Sequence, residues 1–287
     1  MNKQTTRRAF LAGMGTAACA SVAWGQADST PALPLKNLGL EHLDIVVPDT
    51  AASAKFYMQV FRTKLHQQPF QGSIRYFILL GDLPANRQVG YIAIGAAGTR
   101  TPGVGHYCAL AERYNRDAVA REMEKAGYKT AQGGFGMWPD PDGLELQLFQ
   151  PPAGLVAAAV PSDLPAEPNG LVKPVALDHV VLTVKDINAS LPYYHFVYGR
   201  DTEGARETNP ERLWINLKND TRIGLQKAPA GAAPRIEHYC IRVQPFDRQV
   251  VTEGLRKIGA EILPSSDESN VVRFRDDNRI TVELKAV

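Results

Sequence analysis

Cysteine is scarce in this chain, with three in 287 residues. Cys19 lies near the N-terminus; Cys108 and Cys240 occupy matching places in a repeat described below. Such a pair does not make a disulfide framework, so the fold rests on apolar cores and both thiols read as small buried hydrophobes. Charge of either sign is not in excess: 32 Lys and Arg stand against 30 Asp and Glu, a formal +2. With no basic block beyond the first residues, nucleic acid is not expected as a partner. No apolar run is long enough for stable membrane insertion. A P-loop, a Gly-x-Gly-x-x-Gly turn, a serine nucleophile elbow and a His-Glu-x-x-His helix are all missing from the sequence. Chemistry must therefore come from residues that are distant in sequence.

The N-terminus reads as a targeting segment. Lys3, Arg7 and Arg8 form a charged head, residues 10–23 a mild apolar run, and Ala23-Trp24-Gly25 or Gly25-Gln26-Ala27 offers small residues before a cleavage point. Residues 1–27 are thus expected to be an export signal. The Arg7-Arg8 pair within Thr6-Arg7-Arg8-Ala9-Phe10-Leu11 resembles a twin-arginine signal. That resemblance implies the twin-arginine export machinery as a partner and a periplasmic or extracellular location.

The remainder repeats itself. Leu40-Glu41-His42-Leu43-Asp44 returns as Leu177-Asp178-His179-Val180-Val181, with the two histidines 137 positions apart. Gly105-His106-Tyr107-Cys108 returns as Glu237-His238-Tyr239-Cys240, and the segment ending at Leu148 returns, more loosely, as the one ending at Leu284. Landmarks that recur in the same order indicate duplication. The expected division is a tether over residues 28–38, one domain over 38–150, a Pro- and Ala-rich linker over 151–174, and a second domain over 175–287.

Local patterns place the landmarks. Strands are predicted over 40–47, 75–80, 89–94, 106–110 and 144–149, with helices over 51–61 (capped by Asp49 or Thr50) and from Asn115 to about 126. The second half predicts strands over 177–184, 213–217, 222–226, 238–243, 261–263, 271–275 and 281–285. Its helices are predicted over 187–197, kinked or started by Pro192, and over 247–258. This is an α+β fold of tandem, paired βαβββ modules, with curved mixed sheets around a cleft.

Four of the six histidines fall at repeated strand-initial positions: His42, His106, His179 and His238. In the second half, His179, His238 and Glu283 lie on three separate strands. Two neutral imidazoles and one carboxylate make a facial set suited to Fe(II) or Mn(II), with other divalent ions possible. A set of hydrogen-bonded core histidines with a surface glutamate is the alternative. Tyr193, Tyr194, Tyr198, Trp214 and His195 are available as an aromatic wall or an acid/base group, though core packing is the ordinary role of such residues. Tyr239 adjoins His238 and so faces the other way. Arg212, Arg222, Arg273, Arg275 and Arg279 are available to an anionic substrate.

These landmarks resemble the vicinal oxygen chelate superfamily, which includes glyoxalases, bleomycin resistance proteins and extradiol dioxygenases. The resemblance covers about 38–150 and 175–287, and rests on the Leu-Asp-His strand, the Glu237-His238 strand and the closing Val282-Glu283-Leu284. It implies a divalent metal on His179, His238 and Glu283, Fe(II) or Mn(II) favoured and Zn(II) or Ni(II) possible. In the first half it aligns His42 and His106, but Gln147 falls at the carboxylate position. Glu145, two residues earlier on the same face, is the alternative for a second metal site. Glyoxalase-type members add an acidic ligand where this chain has Gln226, which favours three ligands. The implied activity is metal-dependent oxidation of a small molecule with vicinal oxygens, in the manner of an extradiol dioxygenase. A glyoxalase-like lyase or isomerase and a non-catalytic small-molecule-binding protein are the alternatives.

Overall fold

The computed structural model describes residues 32–81, 90–130, 136–151, 159–164, 170–265 and 269–287. The proposed signal over 1–27 lies outside them. Strand β1 (Asn37–Val47) is buried along almost its whole length. Pro48 follows it, and Asp49 caps helix α1 (Thr50–Val60) by accepting from Ala52 N at 2.9 Å. The chain then runs through β2 (Leu65–Phe70), β3 (Ser73–Leu80) and β4 (Gly90–Ala96). A second module follows: β5 (Gly103–Ala111), α2 (Arg116–Lys125) capped by Asn115, β6 (Met137–Pro139) and β7 (Glu145–Phe149). A two-residue strand, β8 (Val160–Pro161), pairs with β2.

The series then starts again. β9 (Lys173–Val184) leads to α3 (Ile187–Tyr198), capped by Asp186. After a 3-10 turn at Arg200–Thr202 come β10 (Glu203–Thr208), β11 (Glu211–Asn216) and β12 (Arg222–Lys227). The last module is β13 (Arg235–Gln244), α4 (Arg248–Lys257) capped by Asp247, β14 (Glu261–Leu263), β15 (Val271–Arg275) and β16 (Thr281–Ala286). α3 begins at Ile187, ahead of Pro192, and continues through it.

Two eight-stranded sheets result, ordered β6-β7-β5-β1-β4-β3-β2-β8 and β10-β11-β12-β9-β13-β16-β15-β14. In each, two modules meet along one antiparallel seam, β1 against β5 and β9 against β13. The flanking pairs β1–β4, β5–β7, β9–β12 and β13–β16 are parallel. One continuous core draws side chains from both sheets and the helices, including Tyr57, Trp138, Tyr194 and Phe274.

The seams carry the feature that builds the sites. Register breaks leave one extra residue immediately before each repeated histidine. Leu40↔Ala109 is followed by His42↔Cys108, which skips Glu41; Asp44↔His106 is followed by Ile45↔Val104, which skips Gly105. Cys240↔His179 and Ile241↔Leu177 skip Asp178; Ile236↔Leu182 and His238↔Val181 skip Glu237. A bulge re-aims the side chains beside it. At three of the four it brings residue i−1, which in a regular strand faces away from its neighbour, onto the histidine it precedes: Glu41, Asp178 and Glu237.

Two expectations change. Residues 33–36 are not a tether: Leu33 and Leu35 are buried, Leu35 N donates to Val197 O at 2.7 Å, and β1 begins at Asn37. Part of the predicted linker is also in the sheets, since β8 extends the first sheet, Val172 bridges to Phe61, and β9 begins at Lys173. Apolar residues such as Leu33, Leu35 and Val172 find core space there, and this overrides their loop-like composition.

Candidate metal centre

His179 from β9, His238 from β13 and Glu283 from β16 come together, their ligand atoms all within 4.8 Å of one another. His179 Nε2 lies 3.3 Å from Glu283 Oε2 and His238 Nε2 3.6 Å from Oε1. The two rings are T-shaped, with centroids 5.5 Å apart. Both Nε2 atoms are buried without a hydrogen-bond partner. Two donors about 2.1 Å from one ion, about 90–110° apart, are themselves about 3.0–3.4 Å apart. Orphaned ring nitrogens at near that spacing from the oxygens of one carboxylate fit a divalent ion.

The other face of each ring is already held. His179 Nδ1 meets Asp178 Oδ1 at 2.7 Å, and His238 Nδ1 meets Glu237. A carboxylate behind each imidazole fixes the ring and its tautomer and makes the outward nitrogen a better donor. Arg273 donates to both oxygens of Glu237, at 2.9 and 2.8 Å. Asp178 also meets Lys285 Nζ at 3.1 Å and Arg222 at 3.4 Å. Burial by itself raises the Asp178 pKa; the His179 hydrogen bond and the Lys285 charge outweigh it and hold the carboxyl well below its usual range. For Glu283 too, burial is outweighed by the close approach of His179 and by the charges of His238 and Arg273, which bring its pKa to about 2. Burial lowers the His238 pKa, which keeps the ring neutral and able to donate its lone pair.

Strands β11 and β12 supply the neighbours of His179 on the side away from β13. Trp214 stands edge-on to His179 with centroids 5.1 Å apart, and Arg222 lies over the indole at 4.2 Å. Arg212 Nε and Nη2 both donate to Gln226 Oε1, at 3.2 and 2.7 Å. Gln226 is thus tied to an arginine. Of the other candidates, Tyr193, Tyr194 and Tyr198 are buried in the core, and His195 pairs with Glu203 at 2.9 Å. Tyr239 points away from the triad, onto Tyr57. Arg275 and Arg279 pair with Glu261. The partners Asp178 and Glu237 behind the triad were not singled out as site residues from the sequence, and Arg273, expected to be available to an anionic substrate, is engaged by Glu237; the bulge that brings the two carboxylates onto the rings has no sequence signature.

The first sheet repeats the frame with different chemistry. His42 and His106 are T-shaped at 5.6 Å, nearly the separation of the other pair. Gln147 pairs with Cys108 as Glu283 pairs with Cys240, so it is the positional counterpart of the carboxylate. It meets His42 Nε2 at 2.9 Å, while Glu41 holds Nδ1 at 2.9 Å. Glu145 pairs with His106 in register and is exposed. Among the described residues, no cluster of ligand atoms within 4.8 Å joins Glu145 to His42 and His106. The other two clusters, Glu41-His42-Cys108 and Asp178-His179-Cys240, rely on thiols whose burial keeps them protonated.

No protein-family model matches the chain, and no curated protein does. Solved structures do. The 2,3-dioxygenase LapB from Pseudomonas sp. KL28 superposes with a TM-score of 0.62 at 13% identity, covering 88% of this chain and 93% of that one. A catechol 2,3-dioxygenase gives 0.63 at 14%, covering 88% and 89%. The Mn(II)-bound glyoxalase from Novosphingobium aromaticivorans gives 0.60 at 16%, covering 88% and 83%. At such identities the likeness is one of fold. The chain shares the fold of these structures, with tandem modules in mixed sheets. Its triad is consistent with metal-dependent oxidation or lyase chemistry.

Proposed function

We propose that the chain is an exported, divalent-metal enzyme that oxidises a small molecule bearing vicinal oxygens, in the manner of an extradiol dioxygenase. The observation that carries this reading is the pair of buried, unpartnered Nε2 atoms of His179 and His238 facing Glu283. These three residues would hold one ion, Fe(II) or Mn(II) by donor set. The ion would supply Lewis-acid stabilisation of the substrate's two vicinal oxygens. Asp178 and Glu237 keep the two rings oriented. Trp214 packs edge-on against His179 and carries Arg212 and Arg222 over its ring, which sets two cations beside the triad.

The engagement of Gln226 by Arg212 supports a three-ligand site over a glyoxalase type with a fourth acidic ligand. Export rests on Arg7-Arg8 and the segment that follows. Among the described residues no helix is long and apolar enough to cross a membrane.

Metal content by mass spectrometry, followed by oxygen uptake with catechol, tests the proposal. One ion per chain is expected, lost in His179→Ala and kept in His42→Ala, with oxygen consumed only by the loaded protein. Turnover of a substrate without oxygen uptake would favour the lyase. Failure to take up Fe(II), Mn(II) or Zn(II) at all would leave a binding protein.

A further inference from the structure

We propose that the cleft of the first sheet is a metal-free binding site for a small organic carboxylate. The duplication makes the comparison direct. Of the differences between this cleft and the metal centre, three each remove an anchor for a cation or free a hydrogen-bond donor. Gln147 stands in place of Glu283, so the ligand carboxylate is gone and His42 Nε2 is engaged by an amide. Gly105 stands in place of Glu237, so His106 has no carboxylate directly behind it; Asp44 Oδ2 is 3.8 Å from Nδ1, beyond hydrogen-bond reach. Gly95 stands in place of Gln226. The β1–β4 and β9–β12 registers set Gly95 beside Val46 and Gln226 beside Thr183.

The last change acts on an arginine. Arg75 on β3 is the counterpart of Arg212 on β11. Gln226 engages Arg212 at Nε and Nη2. Gly95 has no side chain to offer, and a Cβ there would stand 3.1 Å from Arg75 Nη2. Arg75 Nε is left buried with no hydrogen-bond partner, and His106 Nε2 makes no well-formed bond, the Gln147 amide beside it being engaged through its oxygen by His42. Arg75 and His106 line a cavity of about 510 Å³, together with Phe70, Met137 and Arg100. Arg75 lies over the Phe70 ring at 4.0 Å. Arg100 donates to the carbonyl oxygens of Ala96 and Ala97, neutral acceptors that leave its charge beside the cavity.

An orphaned guanidinium N–H and an imidazole nitrogen without a well-formed bond, beside a second arginine, select oxygens that carry negative charge. Phe70 and Met137 select an apolar body for the same molecule. The Asp44 carboxylate contacts Arg75 only at 3.4 Å, and burial pushes its pKa up while it pushes that of His106 down, both toward the uncharged form. The bound acid would receive Arg75 Nε on one oxygen and His106 Nε2, as N–H, on the other.

Isothermal titration of the full chain with benzoate, without added metal and again with Mn(II), tests the site. Benzamide serves as the neutral control. One saturable benzoate site is expected in the wild type and in Glu283→Gln, with benzamide at least about tenfold weaker. Arg75→Met is expected to weaken benzoate about tenfold or more, the loss of one charge-assisted contact. If that variant loses its fold because Asp44 is left unpaired, Arg100→Ala, on the exposed rim, decides by a several-fold loss. No saturable binding, equal binding of benzamide, or loss of binding in Glu283→Gln would overturn the proposal. The last result would place the benzoate at the metal centre instead. Failure of the metal centre itself would leave this site unaffected.

Discussion

Tyr57 on α1 donates its hydroxyl to Asp276 Oδ2 at 2.7 Å, across 219 residues of chain. The duplication contains the reciprocal bond: Tyr194 on α3 donates to Asp140 Oδ2 at 2.8 Å. Each helix of one half is thereby tied to the turn before the last strand of the other. Asp276 also accepts from the backbone nitrogens of Asn278 and Ile280, so the same carboxyl shapes the turn that leads into β16 and Glu283.

Removing the tyrosine hydroxyl leaves one acceptor on Asp276 and the hydroxyl of Tyr239, which donates to Tyr57 at 2.8 Å, both without that partner in the core. Tyr57→Phe is therefore expected to destabilise the fold by about 1–3 kcal/mol. Urea unfolding followed by tryptophan fluorescence measures it. Tyr194→Phe should cost a similar amount, and a loss in neither would mean that the bonds are incidental to stability.

Burial raises the Asp276 pKa to about 6, against the lowering effect of the Tyr57 and backbone hydrogen bonds. The folded protein then holds this proton more tightly than the unfolded chain does. Between about pH 4 and 6 the folded state binds more protons, so this group's contribution to stability falls as pH rises. The whole effect is at most about 3 kcal/mol. Asp276→Asn should remove it, so the difference in unfolding free energy between wild type and variant is expected to shift across that window and to be flat above it.

The alternation in β1, β5, β9 and β13 was legible because these strands are central and nearly fully buried. The duplication made the four histidines visible, and the caps at Asp49 and Asn115 followed from residue type. The strands that escaped were β2, β6, β8 and β10. β10 reads Glu-Gly-Ala-Arg-Glu-Thr and stands at the edge of its sheet, mostly exposed, so it shows no apolar period. β2 contains Pro69 and two glutamines. The Gln147 position was readable from the repeat. The roles of Asp178 and Glu237 were not, because a one-residue bulge is a property of strand pairing.

Asp178 offers the cleanest test of that pairing. Asp178→Asn keeps the shape and a hydrogen-bonding group but weakens the charge behind His179. Loss of such a supporting carboxylate costs about 10–100-fold in metal affinity. Competition of Mn(II) against a chelator dye measures the loss. Unchanged affinity would mean that His179 is oriented by its packing against Trp214 alone.

The two halves can be interconverted at the ligand that separates them. Glu283→Gln gives the second sheet the donor set of the first and should abolish stoichiometric metal binding. Gln147→Glu does the reverse, because the histidine frame differs between the halves by only 0.1 Å in ring separation, 5.6 Å against 5.5 Å. The variant is expected to bind a second ion per chain. Its affinity should fall about 10–100-fold below that of the natural centre, because Gly105 leaves His106 without the carboxylate that Glu237 supplies to His238. Mass spectrometry of the variant after equilibration with Mn(II), beside Gln147→Glu combined with His106→Ala, reads the result directly. A stoichiometry that stays at one would show that the carboxylate is not the only deficit, and that the bulge residue before the histidine decides whether a site of this kind binds metal.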